Sequence, residues 1–419
     1  MLTRIRRMAG SRLAGNLLAI YLARMVNIII PLAMVPIFAR VLDPATFGLT
    51  LLAQALGLWI VQVVEFGYDF SATRRLARAD WSEDGWKLIV RDTLFGQNVL
   101  VLLCLVGSLA FLFLVEGFAQ SPLILLLAWA YGAMAGYTPR WYFYAREELA
   151  GFTTVSILGR AAGAVVSVLA AIFTRSGEGI MFGYALGSLI PLVWCLWIIL
   201  PSIRHLPLDM RAGFETLREG GGIFAFKISK MVYSLGGVTV VGILATPAVL
   251  AQYASSDRLV RAGINLATSF TIAFFPRLSQ LVETDRAAAR RMFLTITCLS
   301  VAMMTVAAIV VTFNSELIVA IILGDGYEAA APVLALLIWV APLNMYQFSV
   351  GTQWMIPLGM ERAFSAIIAG AAIVYVGLAL WAVQHGGEVL AQANVAAEFV
   401  LCLALTGYVM LVRRRGGDA

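Results

Sequence analysis

The sequence predicts an all-α polytopic membrane protein of twelve transmembrane helices, arranged as two six-helix bundles with both termini in the cytoplasm. Three observations carry that expectation. Of 419 residues, 61% are hydrophobic and 13% charged, whereas ordinary globular proteins carry about 25% charged residues. The apolar residues gather into runs near the roughly 20 needed to cross a bilayer. The basic residues fall in alternate connections between those runs. No segment outside the runs is long enough for a soluble domain, and the net charge of +6 speaks first of membrane orientation, not of nucleic acid.

Apolar runs bounded by charge, Gly or Pro place helices at residues 14–39, 47–68, 89–114, 122–144, 152–173, 179–200, 222–244, 255–276, 292–313, 331–357, 363–383 and 389–412. The first run follows Arg4, Arg6, Arg7 and Arg12 and has no small-residue cleavage site, so it reads as a retained span. With the N-terminus inside, 22 of the 30 Lys and Arg residues lie in cytoplasmic segments, among them Arg74, Arg75, Arg78, Lys87, Arg91 and the closing Arg413, Arg414 and Arg415. Only Arg175 falls in an outside loop. One helix more or fewer would invert every later loop and destroy that asymmetry.

The halves resemble each other at corresponding places. Arg24-Met25-Val26-Asn27 in the first run matches Lys230-Met231-Val232-Tyr233 in the seventh, and each is followed by a Pro-Ala step, Pro44-Ala45 and Pro247-Ala248, that opens the next helix. Trp141 and Glu148 match Trp354 and Glu361, each pair seven residues apart. Six spans per half keep both halves in one orientation, so the repeat is parallel, about an axis along the membrane normal. The expected lobes are residues 1–205 and 206–419, facing one another across a central cationic cleft.

Seven basic residues fall within or at the ends of spans: Arg24, Arg40, Arg160, Lys227, Lys230, Arg258 and Arg261. A Lys or Arg at a helix centre costs about 2.5–3.5 kcal/mol on insertion scales. Arg24 is placed near the midplane, where it cannot easily reach either interface. Lys227 and Lys230 lie nearer a helix end, where their long stems can carry the ammonium to the cytoplasmic interface. Arg160 sits between Gly159 and Gly163, a spacing that lets another helix approach closely, and a structural salt bridge is its alternative role. Arg258 and Arg261 begin the eighth helix on the outside, where Asp257 offers Arg261 an ordinary i,i+4 pair. Arg40 beside Asp43 reads as an interface anchor. Acidic residues in spans are few: Glu65, Asp69, Asp92 and Glu398. Several cations are therefore expected to stay unbalanced and to hold an anionic ligand, for which the planar guanidinium suits phosphate.

The cysteines Cys104, Cys195, Cys298 and Cys402 lie in apolar runs and read as packing residues. His205 and His385 are far apart with no cysteine nearby, so neither a metal nor a cofactor is expected. No glycine-rich stretch matches a phosphate-binding P-loop, and no long loop offers room for a catalytic site, so the chain is not expected to be an enzyme.

Arg40-Val41-Leu42-Asp43-Pro44-Ala45-Thr46-Phe47-Gly48 resembles the first-loop signature of the polysaccharide-biosynthesis flippases, exporters of lipid-linked oligosaccharide. Glu65-Phe66-Gly67 with Ser71-Ala72-Thr73-Arg74 looks like their second motif, with Glu65 where Asp is usual. Asp43 stands where Gly is common, which puts the turn geometry in question. The resemblance implies membership of the multidrug/oligosaccharidyl-lipid/polysaccharide exporter superfamily, a V-shaped fold alternating between inward- and outward-open, and a bacterial inner-membrane location. It also implies the substrate, an oligosaccharide on a polyprenyl diphosphate moved from the cytoplasmic to the periplasmic leaflet for O-antigen or exopolysaccharide synthesis.

On that basis Arg24 and Lys230 are expected to clamp the diphosphate, Lys227 and Arg160 to aid entry, and Arg258 and Arg261 to aid release. Asn27, Tyr233, Gln347 and Trp354 are candidates for sugar contacts, and Glu398 with Asn394 for proton or sodium coupling. The expected partners are the lipid-linked oligosaccharide, the bilayer and polysaccharide polymerase machinery. Two alternatives share parts of this pattern: a cation-coupled multidrug antiporter of the same fold, which needs a buried carboxylate, and a membrane glycan polymerase, which needs a long outside loop.

Overall fold

The computed structural model describes residues 29–414, except the side chains of Phe226, Lys230, Tyr233, Arg413 and Arg414. Every regular element among them is helical. Nine of the described helices are long and apolar enough to cross a membrane, and Ile29–Val41 and Ser234–Leu244 are shorter apolar segments. Large apolar side chains such as Phe113, Phe173 and Phe313 are more than four-fifths exposed, a surface that water would not tolerate and lipid covers. The chain is a multi-pass membrane protein.

Helix starts follow from local chemistry. The main-chain N–H of Thr46 donates to the Asp43 carboxylate at 3.0 Å, so Asp43 caps the helix Pro44–Glu65, with Pro44 where a missing N–H costs nothing. Asp43, where Gly is common, thus builds the turn. Thr246 and Pro247 repeat the device at the helix Pro247–Thr271. Gly48 and Ala251, each four residues past its proline, touch: a Cβ on Gly48 would lie 3.0 Å from the Ala251 nitrogen.

Several boundaries differ from expectation. The fourth apolar run does not continue to residue 144: Pro122–Tyr137 stops at Thr138-Pro139, and a separate short helix, Arg140–Ala145, follows. Proline lacks the N–H that a continuous helix needs there. The seventh helix, Met210–Leu244, starts well before residue 222 because its first turns are polar and invisible to a hydropathy scan. The eighth starts at Pro247, so Arg258 and Arg261 do not begin it; they lie eleven and fourteen residues inside.

Among the described residues the chain divides into two compact units. One takes Leu52–Ile228 with the chain up to Leu42, and the other takes Asp43–Leu51 with the chain from Ser229 onward. In the first unit the helices Leu149–Thr174 and Gly177–Ile203 meet through glycine, as the Gly159 and Gly163 spacing predicts. A Cβ on Gly163 would lie 2.6 Å from the Gly183 carbonyl oxygen, and one on Gly159 would lie 2.6 Å from that of Gly187. Bare backbones are the only surfaces that fit so closely.

Candidate functional site

The first unit assembles a compact group of charges from four chain segments. Glu65 closes the helix Pro44–Glu65. Phe66 and Gly67 then take left-handed backbone angles, φ 43° and 81°, and start the helix Tyr68–Ala77 with Asp69 in its first turn. Glycine is required at 67 on two counts: the positive φ, and a Cβ that would fall 2.8 Å from the Ile223 methyl. Phe66 stacks on Phe224 with ring centres 4.4 Å apart, holding the turn against the helix that carries Lys227.

Arg140, placed by the break at Pro139, pairs with Glu65 and sets its Nε 3.3 Å from Asp69. Lys227 Nζ lies 3.1 Å from Glu65 and 3.9 Å from Asp69. Two carboxylates and two bases thus alternate, and the quartet is neutral. The Tyr144 phenol lies within electrostatic reach of Arg140. This corrects the expectation for Lys227, which is not an unbalanced cation. Arg140 is not among the candidate residues singled out from the sequence; its signal is Pro139, which ends the helix Pro122–Tyr137 and precedes the short helix that carries Arg140.

Arg160 differs. It lies eleven residues past the start of Leu149–Thr174, about 16 Å at ~1.5 Å per residue, and its side chain is accessible. Among the described residues no carboxylate forms an ion pair with it; the groups in electrostatic reach are the phenols of Tyr131 and Tyr184 and the guanidinium of Arg140. The alternative role as a structural salt bridge finds no partner there. Arg140, Arg160 and Lys227 set three positive charges against two, so the group carries a surplus of one. Asp92, a further acidic candidate, is taken by Arg91 at 2.8 Å.

In the second unit Arg261 Nε lies 2.7 Å from Asp257, the i,i+4 pair anticipated for it, so it is not an unbalanced cation either. Arg258 is half-buried on the same helix. Glu398 and Asn394 are both buried. Gln347 donates to the Glu398 carboxylate at 2.5 Å and to its main-chain oxygen at 3.0 Å. Asn394 donates to the Tyr253 hydroxyl at 3.0 Å, while its Oδ1 has no hydrogen-bond partner among the described residues. Gln347 is therefore committed to Glu398 and is not a sugar contact. Trp354 is buried and stacked on Phe293, centres 4.7 Å apart, which also removes it from that list. Arg24 and Asn27 lie outside the described residues, as do the side chains of Lys230 and Tyr233. No group of three or more His, Cys, Asp or Glu side chains capable of holding a metal occurs among the described residues.

The chain is 25% identical over 357 residues to an Escherichia coli (strain K12) protein named "Putative O-antigen transporter", covering 83% of this chain and 84% of that one. A Shigella dysenteriae protein of the same name is 23% identical over 381 residues, covering 89% and 93%. Both names are those of transporters, not enzymes, in keeping with the expectation that this chain catalyses no reaction. Among solved structures, the lipid II flippase MurJ in an inward closed conformation matches with a TM-score of 0.65 at 12% identity, covering 94% of this chain and 87% of that one. An outward-facing multidrug resistance transporter of the MOP superfamily matches with a TM-score of 0.51 at 12% identity, covering 96% and 97%. The chain shares the fold of these two proteins. Residues 13–282 match the family described as polysaccharide biosynthesis protein, and with well over half its length inside that match, the chain belongs to the polysaccharide biosynthesis protein family.

Proposed function

We propose that the chain is a flippase of the bacterial inner membrane that moves an oligosaccharide linked to polyprenyl diphosphate from the cytoplasmic to the periplasmic leaflet, for O-antigen or exopolysaccharide synthesis. In this reading it has twelve spans, both termini in the cytoplasm, and lobes at 1–205 and 206–419. Family membership and the names of its relatives support the substrate class.

The observation that carries the reading is Arg160, an accessible guanidinium deep in a membrane-length helix with no ion pair among the described residues. A charge there needs a counter-charge. The diphosphate is the part of the substrate that cannot cross lipid unaided, and Arg160 supplies a two-pronged donor for it. Arg24 and Lys230 complete the clamp. The neutral quartet of Glu65, Asp69, Arg140 and Lys227 takes the phosphate as it arrives, Lys227 exchanging a carboxylate for it. Arg261 acts at release by the same exchange with Asp257, alongside Arg258. Glu398, with the unpaired Asn394 oxygen one turn away, takes up the proton or sodium ion that drives the cycle, and polymerase machinery consumes the product.

The test is complementation of a strain lacking its own flippase. Arg24→Ala and Arg160→Ala should each abolish surface polysaccharide while membrane abundance stays at the wild-type level. Normal polysaccharide from both variants would refute the reading.

A further inference from the structure

The second unit holds a cavity of about 550 Å3 that no part of the transport reading uses. Its walls come from the helix Arg286–Phe313, from the segment around Tyr346, Val350 and Trp354, and from the last helix at Thr406 and Met410. The segment Phe348–Met355 is a π-helix, whose extra residue per turn re-aims its side chains; Trp354 there lies flat on Phe293. Tyr346 and Thr406 satisfy each other at 2.6 Å, so that wall offers little polarity to an occupant.

The polar groups that remain are arranged by depth. Arg290, exposed, lines one end of the cavity in the second turn of its helix, next in sequence to exposed Arg291. Seven residues further on, about 10 Å at ~1.5 Å per residue, Thr297 lines the cavity with its side chain nine-tenths buried and its hydroxyl unpartnered among the described residues. Beyond it the wall continues apolar through Val301 to Ala302. Arg290 to Ala302 spans about 18 Å on the same rise, a little over half of the roughly 30 Å hydrocarbon core. The cavity is therefore about one leaflet deep, cationic at one end, with a hydroxyl below the cation and hydrocarbon below that.

We propose that this cavity binds one anionic glycerophospholipid, its phosphate against Arg290, an ester carbonyl accepting from the Thr297 hydroxyl, and an acyl chain along Val301 and Ala302. The cation selects a net negative headgroup over a zwitterion. The hydroxyl selects a glycerolipid over a polyprenyl phosphate, which has no acceptor between its phosphate and its chain. A buried hydroxyl left without a partner is unfavourable, and an ester at that level removes the cost. This site does not rest on the substrate assigned above.

The test is native mass spectrometry of the purified full chain with equal amounts of phosphatidylglycerol, phosphatidylethanolamine and undecaprenyl phosphate. Phosphatidylglycerol should be retained in preference to both. Arg290→Ala should weaken its retention about tenfold, the loss of one charge-assisted contact, and Thr297→Val should lower it without affecting undecaprenyl phosphate. Leu299→Phe, at an exposed position on the same helix outside the cavity lining, should change nothing. Equal retention of the two phospholipids, preference for undecaprenyl phosphate, or full retention by a folded Arg290→Ala protein would overturn the proposal. The wild-type chain gives a second measurement. Cys298 is an exposed thiol on the cavity wall, and its labelling by a maleimide should be several-fold slower in phosphatidylglycerol vesicles than in phosphatidylethanolamine vesicles. Equal rates would overturn the proposal.

Discussion

Glu65→Gln is the most informative single change in the first unit. It keeps the shape of the side chain and removes one of two negative charges, leaving Arg140 and Lys227 to share Asp69. Removing one partner of a fully buried ion pair costs about 3–5 kcal/mol, and exposed pairs are worth only about 0.2–1 kcal/mol. Glu65 is 9% exposed, but Lys227 and Arg140 are 18% and 28% exposed, and Asp69 stays within 3.3 Å of Arg140. Those figures put the cost between the two limits, at about 2–3 kcal/mol. Lys227→Met in the Glu65→Gln background should then cost about 1–2 kcal/mol less than in the wild type, the coupling expected of groups in one network. The assay is equilibrium unfolding in mixed micelles, followed by dye labelling of Cys195, which is buried in the same unit. A Glu65→Gln protein within about 0.5 kcal/mol of wild type, the range of ordinary surface changes, or strictly additive single and double variants, would refute the quartet.

Glycines in helices should divide sharply by what surrounds them. Gly163→Ala should abolish accumulation in the membrane, because its Cβ would meet the Gly183 carbonyl, whereas Gly221→Ala, with nothing within 4 Å of its Cβ, should stabilise by up to about 1 kcal/mol; immunoblots and melting curves read both. Asp43→Ala should cost about 1 kcal/mol through loss of the cap. Partial burial pushes the Asp43 carboxyl up, but hydrogen bonds from Thr46 outweigh it and hold the group below its ordinary value. Its contribution is therefore complete above the unfolded pKa of about 3.9 and is lost as pH falls through the lower folded value. Melting curves at falling pH should converge for wild type and Asp43→Ala. Glu398→Gln should leave abundance unchanged and remove the dependence of transport on a proton or sodium gradient, measured in vesicles.

What the sequence showed and what it hid divide by range. The Pro44-Ala45 and Pro247-Ala248 steps are local signals, read within four residues, and both open helices as expected. The spacing of Gly159 and Gly163 is likewise local, and the close approach it predicts is present. Pro139 was equally visible, yet the apolar stretch around it masked the break that delivers Arg140. The polar first turns of Met210–Leu244 carry no hydropathy signal, and ignoring the cap at Thr246 placed Arg258 and Arg261 too near a helix end. Pairing across the fold was not legible at all. Glu65 and Lys227 are 162 residues apart, Gln347 and Glu398 are 51 apart, and no periodicity connects them. Counting carboxylates against bases along the chain therefore overstated how many cations lack a partner, since Lys227 and Arg261 both sit in ion pairs.

In the proposed transport, cationic side chains inside the membrane engage the diphosphate of a lipid-linked oligosaccharide. The most direct measurement is the rate at which a fluorescent polyprenyl-diphosphate oligosaccharide, loaded in the inner leaflet of vesicles containing the purified chain, becomes accessible to an external lectin. Arg160→Ala should lower that rate about tenfold or more, one lost charge-assisted contact, and an otherwise identical glycolipid without the diphosphate should not be moved. Equal rates for wild type and Arg160→Ala, or equal transport of the uncharged glycolipid, would contradict it.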